Sequence, residues 1–238
     1  MGNLIAGLDQ SQEIALLNES TSARNLLGYG VKVTREGAFL ETTRDPILTM
    51  LSIGMEKLHK LFLGAVAFDR EGTWPSRSVM KSYGHGLIGM HDALIAELAS
   101  RATTSTPYVR SLIAGVQADS VVPPLLEALD VYGRMGRFYY LDLLGDAPQD
   151  WIGPDQAWTA IETAALKDAD LSRARDEAFA NIADAALFEN LLAGLNARIA
   201  ITVESIWTMI ADSGKNHLMG RAGDVLGFEV HPKSVGRQ

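Results

Sequence analysis

The chain has 238 residues, 47% apolar and 21% charged, the composition of a globular protein with a substantial core rather than of a disordered segment. Its formal charge of −8 argues against a general affinity for nucleic-acid backbone, and the absence of cysteine excludes disulfides, thiol chemistry and thiolate zinc sites. The opening stretch MGNLIAGLDQSQE lacks the basic start and sustained apolar run of a secretory signal, so the cytoplasm is the expected compartment.

A first helix is predicted from Leu8 to Leu27. The stretch GYGVKVTREGAFLE then reads as a short extended excursion with glycine turns. The next helix has a marked start, because Asp45 can accept from free backbone N–H groups and Pro46 suits a first turn. From there Ile47, Leu51, Met55, Leu58, Phe62 and Val66 recur at spacings of three and four, which makes one apolar face. FDREGTWPSRS is a loop that Trp74 anchors to the core. A third helix is predicted over 80–100, with Leu87, Leu94 and Leu98 facing inward.

TTSTP is a break, and a fourth segment begins near Pro123 and Pro124 and runs to about Leu144. GDAPQDWIGPDQ is a loop, followed by a short helix carrying Trp158 and Ile161. The last long segment, Leu171 to Asp212, contains no proline, and Gly194 is its expected point of bending or division. Within it LLAGLNARIAITVESIWTMIA is long enough to span a bilayer, but Arg198 and Glu204 interrupt it, which favours a buried amphipathic helix. The tail after Gly220 forms either one short strand or surface chain. Strands and helices do not alternate, and no repeat is present, so the pattern predicts an all-α bundle.

Three stretches could carry chemistry. MEKLHK places Glu56 and His59 one helical turn apart, the ligand pair of carboxylate-bridged di-metal bundles, but no second Glu-x-x-His completes such a site. Glu56 and Lys60, four apart, favour an ion pair instead. In KSYGHGLIGMHDAL, Lys81, His85 and Asp92 would lie close to one helical face and line a cleft, whereas His91 shares its face with Leu87, Leu94 and Leu98 and reads as a hydrogen-bonded core histidine. Gly84 and Gly86 make sense if His85 lies at a helix start. In YGRMGRFYYLD, Tyr132, Met135 and Tyr139 have the spacing of core residues, leaving Arg134 and Arg137 as surface arginines. Phosphate-binding glycine loops, G-x-S-x-G and H-E-x-x-H are all missing.

DPILTMLSIGMEKLHKLFLGA, a Trp-Pro loop and MKSYGHGLIGMHDAL together resemble the two central helices of HEPN-type domains. The residues that carry the resemblance are Glu56, Lys57 and Lys60 on the first helix, then Gly84, His85 and Leu87 at the opening of the second. It covers about Asp45 to Leu98. The resemblance implies a compact antiparallel bundle, often a homodimer, in a family that holds ribonucleases of toxin and phage-defence systems alongside non-catalytic modules for nucleotides or RNA. Its nucleases carry Arg, four to six residues, then His; here seven residues separate Arg77 from His85, and only Lys81 is a closer cation.

The expectation is therefore one domain over residues 1–238, an antiparallel helical bundle with an N-terminal extended excursion and a long C-terminal helix. Its expected role is that of a non-catalytic homodimeric module for RNA, a nucleotide or a partner protein, with ligand contacts from Lys81, His85 and Asp92, no cofactor and no membrane association. The alternative is a metal-independent ribonuclease in which His85 is the general acid–base and Arg77 or Lys81 stabilises developing charge. A di-metal oxidoreductase using Glu56 and His59 ranks last.

Overall fold

The computed structural model describes residues 4–37, 40–145 and 150–236, and every regular element among them is helical. Helix α1 (Gln10–Glu36) starts at a capping box, in which the Asp9 carboxylate accepts from the Gln12 N–H and the Gln12 side chain accepts from the Asp9 N–H. It continues to Glu36, through most of the predicted extended excursion; residues 38 and 39 of that stretch lie outside the described residues. The glycines that suggested turns are packing sites. A Cβ on Gly30 would come within 2.6 Å of Leu51, and one on Gly54 within 2.9 Å of Leu27. Helix α2 (Leu40–Glu71) begins before the predicted Asp45–Pro46 start, so Pro46 lies inside it, and Asp45 accepts instead from the Tyr132 hydroxyl at 2.6 Å. The pairs Glu19–Lys57, Leu27–Gly54 and Gly30–Leu51 step in opposite senses along the two helices, so α1 and α2 are antiparallel.

The third predicted helix is two. Helix α3 (Arg77–Ser82) is capped by Ser76, and α4 (Leu87–Arg101) restarts after a turn. Because α3 and its flanking turns return the chain, α4 runs parallel to α2: His85 meets Glu56, His91 meets His59, and Arg101 meets Asp69. A 3₁₀ turn at Ala102–Thr104 leads to α5 (Pro107–Ala118), a helix the sequence pattern did not predict, capped by Thr106 with Pro107 in its first turn. The predicted fourth segment is α6 (Val122–Arg134), broken at Met135 and followed by a 3₁₀ turn and the short α7 (Tyr139–Leu143). Helix α8 (Pro154–Ala165) buries Trp158 and Ile161 as expected.

The division in the last segment falls at residues 181–184, between α9 (Ala169–Ala180) and α10 (Ala185–Lys215), not at Gly194. Asp184 caps α10, while Gly194 lies within it where Leu171 of α9 leaves no room for a Cβ. Among single described helices only α10 is long and apolar enough to cross a bilayer, and its C-terminal half is buried nearly all round. The two polar residues that interrupt its run are tied to neighbours: Arg198 pairs with Asp119 beside α5, and Glu204 with Arg35 of α1. The tail forms α11 (Gly220–Glu229) rather than a strand. It packs against α10 where Gly214 and Gly223 bring the two backbones together, and Trp207 Nε1 donates to the Val230 carbonyl at 2.5 Å.

Candidate functional site

Around α2 each residue advances the side chain by about 100°. Ile53, Glu56, Lys57, Lys60 and Leu61 therefore share one face, and Met55, Leu58, His59 and Phe62 occupy the core-facing side. On α1 the positions Gln12, Ala15, Leu16 and Glu19 repeat in the same way. The groove between these two faces is the floor of a cleft of about 630 Å³. Leu8, Trp74, Met80, His85 and Arg137 complete its lining. Trp74 is held by the core as predicted, with its ring 6.2 Å from that of Phe68 and its edge against Gly64.

The polar groups of the cleft are arranged in pairs. Lys57 Nζ donates to Glu19 at 2.7 Å, and Lys60 Nζ to Glu56 at 2.8 Å, the expected ion pair four residues apart. The Glu56 carboxylate also accepts from His85 Nδ1, at 3.0 and 3.2 Å to its two oxygens. His85 is 63% exposed at its side chain and Glu56 only 16%, so the carboxylate is the fixed partner and the imidazole the solvent-facing one. With Nδ1 engaged by Glu56, Nε2 is the ring nitrogen left for a ligand. Arg137, read from sequence as a surface residue, donates to the Gly133 carbonyl at 2.9 Å and lines the cleft.

His85 belongs to no helix. Gly84 sits at φ +59° with nothing within 4 Å of where a Cβ would be, so glycine is there for its backbone and not for packing. Gly86 opens α4 without a side-chain cap, and the Ile88 N–H is instead served by the buried Asp130 carboxylate of α6 at 3.4 Å. The helical-face argument for Lys81, His85 and Asp92 therefore fails, because a spacing of seven aligns side chains only along an unbroken helix. Lys81 is exposed in the last turn of α3, Asp92 is exposed on α4, and Arg77 is exposed at the start of α3; none of the three lines the cleft with His85. Lys57, Lys60, Glu19 and Arg137 are the cleft residues that reasoning about single segments did not assemble, although Lys57 and Lys60 stood in the EKLHK stretch.

Glu56 and His59 also part company. They lie about 60° apart around the axis of α2, and the structure sends Glu56 to the cleft and His59 into the core. His59 Nδ1–H donates to the Met55 carbonyl at 2.8 Å, so its Nε2 accepts, and His91 Nδ1–H donates to it at 3.1 Å. Burial, together with the neighbouring His91, pushes the His59 pKa down to about 3. Burial likewise lowers that of His91, against the opposing pull of Asp92. Both rings are neutral and structural, and His91 is the hydrogen-bonded core histidine its helical position predicted. Among the described residues no group of three or more His, Asp and Glu side chains converges as a metal site. No family model, curated protein or solved structure gives a significant match to this chain.

Proposed function

We propose that this chain is a HEPN-like, cytoplasmic, non-catalytic binding module whose cleft between α1 and α2 takes a nucleotide. One observation carries the reading: the polar residues behind the family resemblance, Glu56, Lys57, Lys60 and His85, come from two separate stretches and all line the same cleft. The volume of about 630 Å³ suits a single small ligand. Ile53, Leu61, Trp74 and Met80 offer apolar and aromatic surface for a base, and Lys57, Lys60 and Arg137 offer donors for phosphate oxygens. Phosphates would draw the two lysines from Glu19 and Glu56, exchanging carboxylate partners for phosphate ones. A charge of −8 and a cleft of limited volume favour a nucleotide over a long RNA strand.

Isothermal titration with adenine and guanine mono- and triphosphates tests this. The wild type is expected to bind at least one of them. Lys57→Met and Arg137→Met should each weaken that binding by about tenfold or more, the size of one charge-assisted hydrogen bond. His85→Ala should also weaken binding, with stability unchanged within about 0.5 kcal/mol because the ring is mostly exposed. Absence of nucleotide binding at millimolar ligand would defeat the reading.

A second reading rests on the His85–Glu56 contact. An imidazole oriented by a carboxylate, with Nε2 free beside cations, is the arrangement of a general acid–base in metal-independent ribonucleases. The stabilising cation would then be Lys60 or Arg137, since Arg77 and Lys81 lie outside the cleft lining. RNA cleavage by the wild type that His85→Ala abolishes would favour this reading over the first.

A further inference from the structure

The helical hairpin of α9 and α10 ends in an apolar tip that faces water. Leu171 lies against Gly194, and the Phe179 ring meets that of Phe188 edge-on at 5.7 Å, so the two helices are antiparallel and the turn 181–184 closes the hairpin. Ile182 in that turn is 76% exposed, Phe179 64% and Leu192 47%. They form one surface. Phe179 and Ile182 are three residues apart, Phe188 joins Phe179 through its ring, and Leu192 stands one helical turn beyond Phe188. Beside them residues 180–186 line a shallow open depression. The ring contact and the Asp184 cap, which accepts from the Ala186 N–H at 3.0 Å, hold the tip in place.

The charge around this tip is of one sign. From Asp176 to Ala197 the sequence holds four carboxylates, Asp176, Glu177, Asp184 and Glu189, and no lysine, arginine or histidine. All four are exposed. Among the described residues only Asp176 has a cation beside it, Arg175, and Arg173 is held by Asp170. A second copy of the chain fits this face poorly, because two-fold pairing would set carboxylates against carboxylates. The apolar area is also small. Three side chains of roughly 200 Å² each, about half to three-quarters exposed, offer on the order of 350 Å², against about 800 Å² per partner in a standard interface. An anionic membrane or a nucleic acid would meet the same repulsion. Every regular element among the described residues is helical, so no sheet edge is present to take up an extended strand, and recognition falls to side chains. A single amphipathic helix, with lysine or arginine flanking its apolar stripe, matches the area, the apolar centre and the acidic rim.

We infer that the α9–α10 tip is a docking site for a basic amphipathic helix of another protein, with Ile182 and Leu192 as apolar anchors and Glu177 and Glu189 as charge guides. The inference uses no residue of the α1–α2 cleft and stands whatever that cleft binds. The probe is a fluorescein-labelled leucine–lysine peptide with helical spacing, about four turns long. Fluorescence anisotropy is expected to show micromolar binding that weakens as salt rises. Ile182→Ser with Leu192→Ser should weaken it about tenfold or more, with the melting temperature unchanged because both side chains face water. Glu177→Gln with Glu189→Gln should weaken it about threefold or more and flatten the salt dependence. A leucine–glutamate peptide of the same pattern should not bind. The inference is overturned if the wild type fails to bind the lysine peptide, if either folded pair variant binds it as tightly as wild type, or if the glutamate peptide binds equally well. Should the serine pair disturb folding, the glutamine pair decides, since both of its side chains are exposed. A dimer in sedimentation velocity that the serine pair dissolves would assign the tip to a second copy. Co-sedimentation with phosphatidylcholine or phosphatidylserine vesicles, abolished by the same pair, would assign it to a membrane. Either result would overturn the inference.

Discussion

Acidification from pH 7 to pH 5 should destabilise this fold through one buried residue. The His59 ring is fully buried, donates to the Met55 carbonyl and accepts from His91, and its pKa in the folded state is about 3. In the unfolded chain the same ring titrates near its ordinary value of about 6.5. A base whose folded pKa is depressed contributes its full stability above the unfolded pKa. That stability is lost as pH falls below about 6.5, because the unfolded state then binds a proton that the folded state refuses, and the loss levels off only near pH 3. Over the interval from pH 7 to pH 5 the unfolded ring takes up about three-quarters of a proton and the folded ring almost none, and integrating this difference gives about 2 kcal/mol from His59 alone. His91 and His231, both lowered by burial, act in the same direction. The lowered carboxyls Asp119, Asp155 and Asp212 do not enter this window, since their contributions are lost only below the ordinary carboxylate range. Glu162, raised by burial, opposes the trend weakly at its lower edge. Urea unfolding at pH 7 and pH 5 measures the difference directly. His59→Gln, which keeps an amide donor and acceptor but cannot titrate, should remove about 2 kcal/mol of the pH dependence. A stability that is flat between pH 7 and pH 5, or equally pH-dependent in His59→Gln, would refute the assignment of His59 as a buried neutral ring.

Gly214→Ala should cost about 2–3 kcal/mol, because the added methyl drives into the Gly223 carbonyl and to within 2.9 Å of Phe62, and backbone cannot step aside; a melting temperature equal to wild type would show that α11 slides freely on α10. Tyr132→Phe removes a hydroxyl that bonds Asp45 at 2.6 Å and Thr49 at 2.9 Å, and should cost about 1 kcal/mol in urea unfolding, since exposed Asp45 can turn to water. A loss of several kcal/mol in Tyr132→Phe would mean that this contact fixes the start of α2 rather than merely supporting it.

Helical class, the apolar faces of α2 and α10, the anchored Trp74 and the core position of His91 were legible in the sequence, because each depends on a period of 3.6 residues repeated within one segment. The places where reading failed share a cause: a residue's local meaning was overridden by a neighbour distant in the chain. Gly28 and Gly30 look like turn residues, but Gly30 is clearance that lets α1 and α2 touch, and Gly28 is the seat of Val235. Gly194 looks like a break but is the seat of Leu171, and Pro46 looks like a start but lies inside a helix whose partners hold it. His85 and Asp92 have the spacing of one face, yet Gly84 and a cap supplied by Asp130 from α6 break the helix between α3 and α4. Charged residue types and their spacing are properties of a segment, and so Glu56, Lys57, Lys60 and His85 could be picked out one stretch at a time. Their union with Glu19, Trp74 and Arg137 into one cleft depends on how α1, α2 and the loop around α3 pack, and packing between segments is decided by side-chain shape across the whole core, which only the tertiary structure contains.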